Sequence, residues 1–465
     1  MLFSSLTFIF IFLPLTLIIY FISKDKYKNN ILLLASLIFY SWGEPKNIFL
    51  ILLSIIVNYY LAIFIDKSKK YSSLFFVIAL IFNIELLFIF KYLDFTLLNI
   101  NKLFNIDIEL ANLTLPIGIS FYTFQILSYV VDVYRKKIKV QKNILNLSMY
   151  ISFFPQLIAG PIVRYETIEE ELTNRTHSIE KFTSGLERFI IGFAKKIIIS
   201  NNLALIVDTI YNSSELINSG ALIIILASLL YTLQIYYDFS GYSDMAIGLG
   251  KIFGFTFLEN FNYPYISKSI TDFWRRWHIS LSSWFRDYVY IPLGGNRVSK
   301  LKWIRNILIV WTLTGLWHGA SWNYIIWGLY YCFFLLAEKL FLNKILDKLP
   351  TLLRWIYMFT IVNIGWIIFR IENINDLTNV LTQLITFKNT NIEEFISKNY
   401  TLINNIPYIL IAIIFMFPIK QKMDLKYQDN QIYNIINKII LLILFIISIF
   451  YLINNSYNPF IYFRF

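Results

Sequence analysis

The sequence predicts an all-α polytopic membrane protein, and three observations predict it. Of the 465 residues, 57% are hydrophobic and 15% charged, against about 25% charged in soluble globular proteins. Apolar runs recur at or near the roughly 20 residues a helix needs to cross a bilayer. Short basic loops punctuate these runs at intervals that place them on one side of the membrane. Complete and interrupted runs together give about nine to twelve passes.

In chain order, the first run is Leu2–Ile22. No Lys or Arg precedes it and no small-residue cleavage site follows, so it reads as a span rather than a cleaved leader. An apolar hairpin comes next, Ile31–Ser41 and Asn47–Ile65, turning at Gly43-Glu44-Pro45. Ser73–Phe90 and Ile117–Val131 form a further pair, joined by residues 91–114. That connecting stretch is amphipathic and is expected at the outer interface. Basic loops stand at Lys24, Lys26 and Lys28, at Lys67, Lys69 and Lys70, and at Arg135, Lys136, Lys137, Lys139 and Lys142. Even numbers of crossings separate them, so they share one face. The positive-inside rule makes that face cytoplasmic and puts the N-terminus outside. The net charge of +12 is therefore topological, with some attraction for anionic membrane lipid, and does not mark a nucleic-acid surface.

Residues 164–187 are polar with helical charge spacing, so they are expected outside the hydrocarbon, with His177 on a solvated face. Ala221–Tyr237, Tyr324–Leu340, Leu352–Phe369 and Ile436–Leu452 complete the clear spans. The single cysteine, Cys332, lies in an apolar helix and reads as a small buried hydrophobe; a disulfide framework is excluded. Without repeats or low-complexity linkers, the chain reads as one integral-membrane domain over 1–465. N-terminal spans occupy 1–145, a core 146–345, and C-terminal spans 346–465.

Residues 234–328 break the pattern by setting charge, Gly, Pro and Trp between apolar runs too short to span. Irregular backbone at membrane depth survives only against protein or a water-filled cavity, and ionisable groups there are functional candidates. QIYYDFSGYSD (234–244) carries Gln234, Asp238, Ser240, Tyr242, Ser243 and Asp244. These residue types fit polar contacts between helices and also fit donor or acceptor binding. Two carboxylates six apart share a helical face poorly, so a metal pair is not indicated.

DFWRRWHISLSSW (272–284) gathers Arg275, Arg276 and His278 with Trp274, Trp277 and Trp284. Arginine binds phosphate bidentately and indole stacks on planar rings, which suits coenzyme A. An interfacial aromatic belt uses the same residue types. In LTGLWHGASWNYIIWG (313–328), His318 stands between Gly315 and Gly319. Desolvation keeps a buried imidazole neutral and available as a general base. On that reading the ring reaches solvent-filled space, with Trp317 beside it and Ser321 and Asn323 placed to orient it or hold an oxyanion. The bland alternative is a core histidine satisfied by a carbonyl. Three scattered histidines and one cysteine give no zinc spacing, and no GxSxG, Walker or dinucleotide motif is present.

FPQLIAGPIVRYETI (154–168), QIYYDFSGYSDMAIGLGKIFGF (234–255), NYPYISKSITDFWRRWHISLSSWFRDYVYIPLGGN (262–296) and the WHG stretch together resemble the membrane-bound O-acyltransferase family. They are most similar to the bacterial branch that O-acetylates alginate and peptidoglycan, and less so to the teichoic-acid D-alanyl transfer proteins. LFSS near the start, SLIFYSWGEPKN and the terminal PFIYFRF extend the resemblance nearly end to end. It implies a ring of tilted helices, with re-entrant or interfacial helices around a central tunnel. It further implies His318 as catalytic and His278 as the second site histidine. An acyl thioester such as acetyl-coenzyme A would be the donor substrate, its phosphates near Arg275, Arg276 and Lys251, with no bound cofactor. An extracytoplasmic SGNH-type acetyltransferase partner and a polysaccharide acceptor are also implied. A transporter or channel would show broken helices in two repeated halves, which this sequence lacks. A non-catalytic scaffold would make the histidines dispensable.

Overall fold

The computed structural model describes residues 1–212, 219–388, 400–454 and 457–461, and all their regular structure is helical. The chain divides into two compact units. The first is Met1–Phe189 with Met245–Leu258, and the second is Ile190–Asp244 with Glu259–Phe465.

The first unit opens with α1, Phe8–Ile22. Its first turn is a π-turn, Phe8–Phe12, just ahead of Pro14, where the missing proline N–H loosens the regular ladder. Helix α2, Lys28–Gly43, ends at Gly43, and α3, Ile48–Lys67, begins beyond the Glu44-Pro45 turn. Helices α3 and α4, Ser72–Lys91, are joined by a reciprocal amide pair. Asn58 Nδ2 donates to Asn83 Oδ1 at 3.1 Å and Asn83 Nδ2 donates back at 2.7 Å. Away from water such a closed pair satisfies both amides while locking two spans together.

Helix α5, Leu93–Phe104, buries no residue, as expected of an interfacial stretch. Helix α6, Ile119–Tyr134, is buried along most of its length. It starts at Gly118, whose φ of +77° and 2.7 Å clearance from the Leu157 carbonyl leave no room for a side chain. Helix α7, Ile144–Ser152, is capped by the Asn143 side chain. Helix α8, Ile179–Tyr211, follows the polar segment.

The second unit carries most of α9, Ala221–Ile252. Two short helices come next, α10, Ile270–Arg276, and α11, Ile279–Phe285. The antiparallel pair α12, Lys300–His318, and α13, Trp322–Leu346, leads to α14, Thr351–Arg370. The described chain closes with α15, Ile374–Ile385, a pair bent by 57°, α16, Ile406–Phe415, and α17, Ile419–Tyr427, and α18, Gln431–Asn454. The tail Tyr457–Ile461 returns into the interior of this unit.

Seven described helices are long and apolar enough to cross a membrane, or eight if α16 and α17 make one span. The chain is thus a multi-pass membrane protein. Several further apolar runs read as passes form helices shorter than these, among them α1 and α6. Burial separates the spans by role. Only 11% of the apolar window of α18 is buried inside the protein, against 78% in α8 and α9. The former presents its surface to lipid, whereas the latter two build the interior.

Candidate functional site

Helices α12 and α13 approach to backbone contact because glycine faces backbone at their crossing. A Cβ on Gly328 would lie 2.3 Å from the Trp311 carbonyl, and one on Gly315 would lie 2.3 Å from the Tyr324 carbonyl. That closeness sets His318, the last residue of α12, among aromatic rings. Its ring centroid is 4.9 Å from Trp317, 4.9 Å from Trp327 on α13 and 5.1 Å from Phe369 at the end of α14, all edge-to-face. Gly319 leaves space that the Tyr324 ring occupies, with a notional Cβ 2.3 Å from it.

His318 is 7% exposed, which corrects the expectation of a ring open to solvent-filled space. A cleft begins one ring away. Its lining includes Gln234, Tyr324, Phe369, the Asp208–Arg370 ion pair at 2.8 Å, and Pro459 and Ile461 of the tail. Phe369 both lines this cleft and packs on His318.

Asn323 is fully buried, and its amide donates to the carbonyls of Phe369 at 3.1 Å and Ile368 at 3.4 Å. The expectation that it orients His318 directly or holds an oxyanion is therefore corrected: its donors are used in fixing the end of α14. Trp274 and Trp277 are also buried in the protein's own aromatic core. Trp274 packs on Trp311 at 4.8 Å and Tyr331 at 4.9 Å, and Trp277 packs on Trp366 at 4.8 Å. Arg275 is exposed beside them, whereas Arg276 pairs with Asp272 at 3.0 Å.

His278 is 1% exposed and lies between α10 and α11 with a left-handed backbone, φ 45° and ψ 54°. Phe239 packs edge-on at 4.6 Å. Trp317 lies 5.7 Å from His278 and 4.9 Å from His318, so this indole contacts both site histidines. Burial pushes the His278 imidazole well below its ordinary range, keeping it neutral near pH 7.

The polar residues of α9 are all present in the interior but do different things. Asp238 is 1% exposed and accepts from Lys196 Nζ at 2.5 Å, Ser200 Oγ at 3.2 Å and the Ile461 N–H at 2.8 Å. Lys196 also donates to the Pro459 carbonyl. This buried ion pair clamps the tail, and the Tyr242 ring stacks on Phe460 at 4.7 Å. Asp244 pairs with Lys195 at 2.6 Å, and Ser240 is buried nearby on the same helix. Gln234 lines the cleft, with its Oε1 lacking a hydrogen-bond partner among the described residues. No group of three His, Cys, Asp or Glu able to hold a metal occurs among the described residues.

Sequence reasoning missed three residues here. Lys196 was visible as an ionisable residue in an apolar run, which is a signal of function or pairing. Glu338 accepts from the Ile270 and Thr271 N–H groups at 2.6 and 2.9 Å, capping α10 from 67 residues away. Asn260 lies against His278, with its Oδ1 3.1 Å from Nδ1. Neither of the last two sits in a local motif that marks it.

Buried imidazoles at helix ends inside a multi-pass membrane protein mark a candidate site for proton chemistry away from bulk water. Residues 131–371 match the MBOAT, membrane-bound O-acyltransferase family. The chain belongs to that family and is an acyltransferase. It is 36% identical to a probable alginate O-acetylase of Azotobacter vinelandii over the whole of both chains. It is 33% identical to the peptidoglycan O-acetyltransferase of Helicobacter pylori, covering 100% of this chain and 98% of that protein. The teichoic acid D-alanyltransferase of Bacillus subtilis is 34% identical over 56% of this chain and 69% of its own.

Proposed function

We propose that this protein takes an acetyl group from a cytoplasmic thioester, acetyl-coenzyme A, and passes it across the bacterial cytoplasmic membrane for O-acetylation of an extracytoplasmic polysaccharide. The position of His318 carries the reading: a caged imidazole at a helix end, one aromatic ring from a cleft. In such surroundings a neutral imidazole acts as general base. It takes the proton of an acceptor hydroxyl as that oxygen attacks the thioester carbonyl. The tetrahedral intermediate then expels the thiolate, which recovers the proton from the imidazolium. Phe369 must swing aside for the acceptor to reach the ring. Exposed Arg275 is the cation available to donor phosphates, whereas Arg276 would first have to leave Asp272.

The relatives' names support acetyl transfer to a polymer, either alginate or peptidoglycan. An SGNH-type partner outside the membrane would receive the acetyl group and complete that modification. The N-terminus lies outside on this reading, as the basic loops require. The test is radiolabelled acetyl transfer by the purified protein in nanodiscs. Transfer that vanishes in H318A while the protein remains folded supports the reading. Unchanged transfer in H318A refutes the base assignment, and solute flux in liposomes without any transfer refutes the enzymatic reading.

A further inference from the structure

We propose that Asn260 is a positioning residue that holds His278 in the tautomer protonated on Nδ1, leaving the lone pair on Nε2. The geometry leaves little freedom. Asn260 is fully buried, and its Oδ1 lies 3.2 Å from the Ser280 backbone N–H, 2.9 Å from Ser280 Oγ and 3.1 Å from His278 Nδ1. Amide oxygen and nitrogen are assigned from their partners, and here the partner decides. A backbone N–H can only donate, so the atom facing Ser280 is the oxygen. That oxygen can only accept, so the ring atom beside it must be Nδ1–H. A neutral imidazole carries one N–H, and Nε2 is left as the acceptor.

The backbone pins the same arrangement. The Asn260 carbonyl accepts the Ile279 N–H at 3.0 Å, and the Asn262 N–H donates to the Arg276 carbonyl at 2.9 Å. Residues 260–262 thus brace the turn that forces His278 to φ 45°. A non-glycine residue held in the left-handed region marks a position that the surroundings over-determine. The Asn260 Nδ2 has no hydrogen-bond partner among the described residues. The side chain therefore acts through its oxygen and leaves a buried unsatisfied amide.

The kinetic consequence rests on the acyl-transfer reading, whereas the tautomer does not. The chain has three histidines, so ¹⁵N-histidine spectra of the full-length protein in nanodiscs are assignable with H177Q and H278N. In the unmodified protein His278 should show a protonated Nδ1 and an unprotonated Nε2. N260A should move it toward the Nε2–H form and lower kcat by about tenfold or more, as partners that orient a functional imidazole do, with KM changing less. N260D should keep the Nδ1–H form. Its carboxylate favours imidazolium, so the acidic limb of the pH–rate profile should move to higher pH. An Nε2–H tautomer in the unmodified protein overturns the proposal without any variant. So does N260A with an unchanged spectrum and pH profile. If no preparation transfers acetyl groups, the functional reading fails and the spectrum still decides the tautomer.

Discussion

The three histidines occupy two kinds of surroundings. His177, in the first unit, sits among charges and hydrogen-bonding groups. Its Nε2 is 3.3 Å from the Tyr20 hydroxyl, which also donates to the Phe253 carbonyl at 3.0 Å. Arg175 stacks over Phe255 at 4.7 Å, and Lys28 lies 5.2 Å over the Tyr20 ring. A Cβ on Gly254 would come within 2.9 Å of the His177 ring, so the imidazole packs on the turn that ends α9. His318 and His278, in the second unit, are framed mainly by aromatic rings. One residue type thus stands in polar, hydrogen-bonding surroundings in one unit and in dry, aromatic surroundings in the other. Dry surroundings disfavour imidazolium, so an imidazole held there stays neutral with its lone pair free.

The largest effect expected separates these surroundings by activity. H318A should lower acetyl transfer by about 10²–10⁴-fold, the usual contribution of a general base, with its thermal melt little changed. H177Q should leave transfer near its starting level. Equal losses in the two variants would break the distinction.

The next effect is on stability. Lys196 and Asp238 are both buried, and removing one partner of such a pair costs about 3–5 kcal/mol. K196M should therefore lower the unfolding midpoint sharply. Adding D238L should recover much of the loss, because no charge is then left alone. A double variant as unstable as K196M would assign the cost to packing instead. A smaller effect is expected at the helix crossing. G328A must part α12 and α13 at the Trp311 carbonyl, at about 1–3 kcal/mol for overpacking. Transfer should fall because His318 is carried by α12. An active G328A would show that the crossing does not set the base.

What the sequence made legible follows the range of the signal. Apolar run length is local, so the long spans and the all-α class could be read directly, whereas the burial of a short helix such as α6 could not. The WHG and RRWHIS motifs are local too, and they marked His318 and His278. The partners of those motifs are not local. Asn260 meets His278 across 18 positions, Asn323 holds Phe369 across 46, and the tail reaches Asp238 across 223. The partner of His177 is remote in the same way. Its neighbours in sequence are polar, but its half-buried surroundings come from Tyr20, 157 positions away.

The smallest effect distinguishes the two kinds of site by proton linkage. Burial, followed by Lys28 and Arg175, lowers the His177 pKa, and burial alone lowers that of His278. Both folded-state values therefore lie below the unfolded value of about 6.5. The unfolded chain then binds more protons, so stability is full above that pH and declines as pH falls toward the folded values. His278 is 1% exposed and His177 only half-buried. H278N should accordingly flatten the loss of melting temperature between pH 7 and 5 more than H177Q does. Neutral dipoles replace the imidazole in both variants, so a difference in slope reports the proton and not the shape. Equal slopes would mean that water reaches His278 as readily as His177, and the contrast between dry and half-buried surroundings would not hold.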